Sequence, residues 1–290
     1  MKNYTLESLL PVSIELVTPE LAKMYLNKNP RNRPISGSRV EYFTRLALTD
    51  QFVPQVPDPI IFDKYGNLIN GQHRLSMIVA LGITIPCYVQ RGADRELIVN
   101  LDLQKKRTIG QNAHIIGCQH SQKALTNAEF MYNMYMLLTK GKSLSNFKLS
   151  PTEIIKINNK FKNGIEFAER SLGVGNHAIT PIKSALARAY YEFDNRDKLF
   201  KFGTVYRTGE YESIQGIPLN KQPQFNAVKL QRWVEGLTRQ EREVKKKQVY
   251  LNTEFMILNF MADRRINKLA NNEYELFHES DELFEGLEIV

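Results

Sequence analysis

Six consecutive residues, Asn70-Gly71-Gln72-His73-Arg74-Leu75, place a glycine, a histidine and an arginine where an apolar run gives way to helical periodicity. The first turn of a helix carries unpaired backbone N–H groups and partial positive charge, so it favours an anion. Gly71 lets a ligand come close to the backbone. Arg74 can pair with phosphate through two parallel hydrogen bonds, and His73 can add another. That chemistry is phosphate binding, with a nucleotide as the expected ligand. The same residues also suit a tight turn with a solvated Arg and a capping His, and a motif this short does not choose between them.

The junction needs elements on both sides. Ile60–Phe62 and Asn67–Ile69 are expected as short strands around a Lys64-Tyr65-Gly66 turn. Leu75, Ile78 and Val79 continue a helix from Gln72, which Gly82 ends. Ile83–Val89 reads as a buried strand. Upstream, Val12–Val17 alternates as an edge strand would, and Thr18-Pro19-Glu20 is a helix start, with the helix running to about Leu26. Asn29–Pro34 holds two prolines and two arginines and is irregular. Ser38 and Glu41 have capping-box spacing ahead of an amphipathic helix to about Leu48. Gln51–Pro59 is a Pro-rich loop, and Asp94 is positioned to cap a helix through Leu101.

Beyond Ile109 the alternation stops. Gln111–Gly117, Thr126–Thr139, Ser150–Ser171, Thr180–Asp194 and Val228–Asp263 show helical period, and Lys201–Gln224, rich in Gly and Pro, is expected as an irregular loop. The fold class is therefore α+β: an α/β domain over residues 1–115 and a mainly helical domain over 116–290.

The net charge of +8 is unevenly spread. Residues 111–270 carry 25 Lys and Arg against 14 Asp and Glu, whereas 271–290 carry seven acids and no Lys or Arg. A basic region of this kind is expected either to meet an anionic partner, nucleic acid above all, or simply to keep the surface solvated. Its densest part is Arg239, Arg242, Lys245, Lys246 and Lys247. On one helix, 239, 242 and 246 would share a face and contact phosphates, with Trp233 either stacking on a base or buried in the core. The acidic end, Glu273–Glu288, also carries Tyr274, Leu276, Phe277, Leu283, Phe284 and Leu287, so it is expected to pack by its aromatics, or to fold over the basic region. No run of about 18 apolar residues occurs, so no membrane partner is expected. The N-terminus lacks a signal-peptide pattern, and only two cysteines are present, Cys87 and Cys118. A reducing cytoplasm is the expected location. His114, Cys118 and His120 are too few for structural zinc, and no metal site is assigned.

Asn70–Leu75, following a strand with Asp63–Gly66, resembles the second sequence box of the ParB/sulfiredoxin-like superfamily, and Asn29–Pro34 resembles its first. Gly82–Pro86, Leu101-Asp102 and Lys106–Thr108 continue the order seen in ParB-like proteins of phages and mobile elements. The resemblance implies a ParB/sulfiredoxin-like N-terminal domain that binds a nucleoside triphosphate, ATP or CTP, with Mg²⁺. It maps Gly71, Gln72, His73 and Arg74 to the phosphate box, and Asn32 and Arg33 to the polar first box. Sulfiredoxins carry their reactive Cys directly before the His-Arg pair; Gln72 stands there in this chain, which speaks against sulfinic-acid reduction.

The expected activity is nucleotide binding, with or without hydrolysis, coupled to binding of DNA. The alternatives are a kinase acting on a small hydroxyl substrate or a modified base, and a non-catalytic phage factor that binds a host protein in the host cytoplasm. A kinase needs a base near the acceptor, for which Asp102 and Asp63 are the candidates on sequence order. Asp58 and Asp94 join them as carboxylates that could meet a divalent ion or simply form caps and turns. A homodimer is a further candidate assembly.

Overall fold

In the computed structural model the described residues are 10–30, 32, 34–52, 54, 58–94, 108, 111, 120–141, 149–173, 175, 179–269, 276–277, 283–284 and 287. They form a mixed α+β structure with four strands and eleven α-helices. The chain divides into two compact units near residue 106. The boundary expected at 115 falls outside the described residues.

The first unit is a four-stranded mixed sheet of order β1-β4-β2-β3, with β1 Val12–Val17, β2 Ile60–Asp63, β3 Leu68–Asn70 and β4 Ile85–Ala93. β4 is antiparallel to β1 and parallel to β2, while β2 and β3 form a hairpin. Three helices accompany it: α1 Pro19–Leu26, α2 Gly37–Leu48 and α3 Gln72–Leu81. Alternation along β2 explains the layering. Ile60 and Phe62 join Leu75, Met77 and Ile78 of α3 and Ala22 and Tyr25 of α1 in one core. Ile61 points the other way, to Ile69, Ala93 and Leu10.

Local chemistry sets most boundaries here. The Thr18 hydroxyl accepts from Leu21 N–H and starts α1, and Gly82, at φ 65°, stops α3. β1 lies at the sheet edge, as expected, but its alternation is inverted: Ile14 and Leu16 are exposed, whereas Glu15 between them is partly covered and bonded to Tyr25 and Arg91. Two expectations are corrected. α2 starts at Gly37 with Ser36 as its N-cap, so the Ser38–Glu41 pair lies inside the helix. β4 runs on to Ala93 rather than stopping at Val89. The helix expected from Asp94 to Leu101 lies outside the described residues.

The second unit is helical: α4 Gln122–Lys140, α5 Pro151–Lys160, α6 Lys162–Leu172, α7 Thr180–Glu192, α8 Arg196–Thr208, α9 Phe225–Glu235, α10 Arg239–Val244 and α11 Lys246–Met261. α7 is the central member and packs against α4, α6 and α11. All nine residues from Pro181 to Ala189 are buried.

Two long helices expected from periodicity are broken. Phe161, fully buried, ends α5 and starts α6. Val228–Asp263 divides into α9, α10 and α11, with a Thr238/Glu241 capping box starting α10. The irregular loop expected over Lys201–Gln224 is helical to Thr208, because α8 occupies Arg196–Thr208. Gly203 lies inside α8 for packing rather than as a breaker: a Cβ there would come within 2.7 Å of Ser171 Oγ. The two described aromatics of the acidic end, Phe277 and Phe284, do pack. Phe277, Phe284 and Leu287 are buried in the helical core, and Phe284 stacks on Tyr135 at 4.1 Å between ring centres.

Candidate functional site

The two sequence boxes of the first unit meet at the start of α3. Gly71 occupies the N-cap at φ 103°, a conformation that favours glycine, and a Cβ there would lie 3.0 Å from Ile60 Cγ1, so the glycine serves the turn and its packing on Ile60 rather than leaving room for a ligand as expected. Asn29 Nδ2 donates to Gln72 Oε1 at 2.8 Å, and Asn32 Nδ2 donates to the Leu68 carbonyl at 2.9 Å. Ser36 N–H donates to His73 Nε2 at 3.1 Å, so that nitrogen is an acceptor and the ring proton belongs on Nδ1. Gln72 and His73 thereby tie the segment before α2 to the start of α3. Arg33 lies outside the described residues.

Arg74 does not face outward. Its Nη1 donates to the Asp58 carbonyl, its Nη2 donates to the Pro59 carbonyl at 3.1 Å, and the Asp58 carboxylate lies 3.4 Å away. Burial lowers its pKa, against the pull of Asp58. It lines a 220 Å³ cavity with Phe43, Phe52, Cys87 and Tyr88. Arg74 is also a basic neighbour of Cys87 that the local sequence does not reveal. Burial nevertheless prevails and raises the thiol pKa, which disfavours the nucleophilic thiolate.

Of the candidate bases, Asp63 is buried and its Oδ1 accepts from the Tyr65 and Asn67 backbone N–H groups, at 2.9 and 2.8 Å. Its carboxylate holds the β2–β3 turn. Asp102 lies outside the described residues, as do His114 and Cys118. His120 Nε2 is 2.7 Å from Asn159 Oδ1. Among the described residues no group of three His, Cys, Asp or Glu could hold a metal ion.

The basic run behaves differently from its expected form. It spans two helices, α10 and α11, which meet at Lys245. Arg239, Arg242 and Lys246 nonetheless line one cleft of 440 Å³ in the helical unit. Lys123 and Asn127 of α4, and Thr180 and Lys183 at the start of α7, form other parts of its wall. Lys245 and Lys247 are not among its lining residues; Lys245 pairs with Glu241 at 3.5 Å. Arg242 Nε donates to the Val234 and Leu237 carbonyls, both at 3.1 Å, and so satisfies the end of α9. Lys246 pairs with Glu243, the only acid among the described lining residues, at 2.6 Å. Trp233 packs against the helical core, as the buried alternative held, and does not line the cleft.

Sequence reasoning missed Lys123, Asn127 and Lys183. Lys183 is 7% exposed, and burial lowers its pKa, with the like charge of Lys123 acting the same way and Glu169 opposing. A signal did exist: Lys183 interrupts a run of small and apolar residues in a helix that is buried on all sides.

Among the described residues, no helix is long and apolar enough to cross a membrane. No family model, no characterised protein and no solved structure matches the chain.

Proposed function

We propose that this chain is a nucleic-acid-binding protein of ParB/sulfiredoxin-like type, in which a nucleotide at the start of α3 regulates the grip of the helical unit. The observation that carries the reading is the cleft. Lys123, Lys183, Arg239, Arg242 and Lys246 approach it from four helices, and the one acid among the described lining residues, Glu243, offsets only Lys246. Such an array neutralises phosphates. None of the described lining residues is aromatic, so the cleft suits phosphate positioning rather than base stacking. The nucleotide half rests on the joining of the two boxes around an N-cap that has no side-chain cap hydrogen bond. In that half Arg74 is a positioning residue that holds the 58–59 segment, and Mg²⁺ would arrive on the nucleotide phosphates. A phosphotransferase draws no support from Asp63, whose carboxylate is committed to its turn.

Fluorescence anisotropy with labelled DNA over a salt series tests the reading. Affinity falls with salt by a slope of about 0.7–0.9 per phosphate contact. Neutralising two cations at the cleft, Lys123→Gln with Arg239→Gln, is expected to reduce that slope by roughly 1.4–1.8. Absence of DNA binding, or an unchanged slope in the double variant, refutes it.

A further inference from the structure

We infer that the floor of the cleft is a phosphomonoester subsite, built for a terminal phosphate rather than for the phosphodiesters inside a strand. The inference deepens the proposed function and rests on it.

Two buried polar side chains mark the floor. Lys183 is 7% exposed and Asn127 is 3% exposed. Both line the cleft; among the described residues neither side chain has a hydrogen bond or ion pair, and neither is among the fully enclosed atoms left without one, so both polar heads open to the cleft. Asn127 accepts from Ser184 Oγ, but through its backbone carbonyl. Glu169 influences Lys183 electrostatically without forming an ion pair with it. A largely covered cation with no counter-ion is less well solvated than a free one, and so is a largely covered amide with no partner. An anion entering the cleft relieves both.

The backbone favours the same ligand. α7 begins at this wall, and Ile179 at its N-cap supplies no side-chain cap. Thr180 adds a hydroxyl, and the partial positive charge of the helix start adds to the charge of Lys183.

Depth then separates two kinds of phosphate. An internal phosphodiester is flanked by sugars on both sides and carries one negative charge. It can meet exposed cations such as Lys123 and Arg239. Lys183 as a residue is 93% covered, so its ammonium is met most readily by a group that protrudes, as a terminal phosphate does. That phosphate also carries close to two charges at neutral pH. Its source is either a phosphorylated strand end or a free mononucleotide.

The test compares single-stranded DNA carrying a 5′-phosphate, a 3′-phosphate or hydroxyls at both ends, by anisotropy, with AMP and inorganic phosphate as competitors. One phosphorylated strand is expected to bind roughly tenfold or more tighter than the hydroxyl-ended strand. Lys183→Met and Asn127→Leu should each abolish that advantage, so that the phosphorylated strand binds no tighter than the hydroxyl-ended one. AMP that displaces the phosphorylated strand at equal concentration supports the subsite and identifies a mononucleotide as its source. Equal affinity of the three strands for the unmodified protein overturns the inference and leaves nucleic-acid binding standing. If no strand binds, yet AMP or phosphate raises the melting temperature of the parent and not of Lys183→Met, the subsite stands and the nucleic-acid reading falls. In phosphate-free buffer Lys183→Met should melt above the parent, since it removes an uncompensated charge. Melting below the parent would give Lys183 a structural partner and overturn the inference.

Discussion

Arg74→Ala is the most direct test of how the first unit is built. The arginine holds the carbonyls of Asp58 and Pro59, and its side chain is only 13% exposed. Hydrogen bonds from a charged donor contribute about 1.5–3 kcal/mol each. The ion pair adds little, because the Asp58 carboxylate is 60% exposed and screened by water. Burying the guanidinium opposes the gain, as its lowered pKa records. The net expected loss is about 2–3 kcal/mol. For a unit of roughly 100 residues that is a fall of about 8–24 °C in melting temperature. The sole tryptophan, Trp233, belongs to the helical unit, so its fluorescence would report on the wrong part. Amide hydrogen exchange over residues 60–81 is the suitable assay, with exposed Lys64→Ala as the control. If Arg74→Ala protects those amides to within about 0.5 kcal/mol of the parent, Arg74 is not an anchor and its assignment to a phosphate contact revives. A loss of nucleotide affinity in this variant therefore has meaning only beside its stability.

Glu15 gives the first unit an acid-sensitive contact. Hydrogen bonding to Arg91 holds its pKa at about 2, with Tyr25 acting the same way and burial opposing. A carboxylate with a lowered folded pKa stabilises above its unfolded value, near 4.5, and loses that stabilisation as pH falls towards 2. Arg91 is half-exposed, so roughly 1–2 kcal/mol is expected after screening. Glu15→Gln should flatten that part of the pH–stability curve, and parallel curves for parent and variant would refute the contact. In the nucleotide half of the proposed function, ATP or CTP with Mg²⁺ should stabilise the protein by about 2.7 kcal/mol at a hundredfold excess over its dissociation constant. No thermal shift with either would retire that half and leave the cleft untouched.

What the sequence disclosed was local. Thr18-Pro19, Gly71 and Gly82 fix α1 and α3 because each acts through its own backbone or through neighbours three residues away. The start of α2 at Ser36 is not legible locally, because the Ser36 N–H is held by His73, 37 residues distant. Gly203 suggested a loop because its role, a close approach to Ser171 on α6, is tertiary. The breaks in the long helices were partly visible. Thr238 and Glu241 spell a capping box that strong apolar periodicity on either side obscured. At Phe161 no cap residue announces the break, and only its burial against Tyr191 and Phe284 accounts for the position. The type of Arg74 marks it as chemically important, but its direction depends on the Asp58–Pro59 carbonyls, which no spacing rule supplies.

The basic run illustrates why residue type alone does not make a site. Arg239, Arg242 and Lys246 on one straight helix would have been a solvated face. They matter because α4 and α7 carry Asn127 and Lys183 into the same cleft. α7 contains two buried cations, and the contrast between them is informative. Arg188, 1% exposed, finds its surroundings inside the core, with the Phe284 ring 5.2 Å from its guanidinium carbon. Its burial is explained by the fold. Lys183, five residues earlier on α7, has no such internal partner among the described residues, and it lies on the wall of a cavity. A charge that folding alone does not compensate points to a ligand that does, and this places the chemical interest of the helical unit on the cleft floor rather than on its exposed rim.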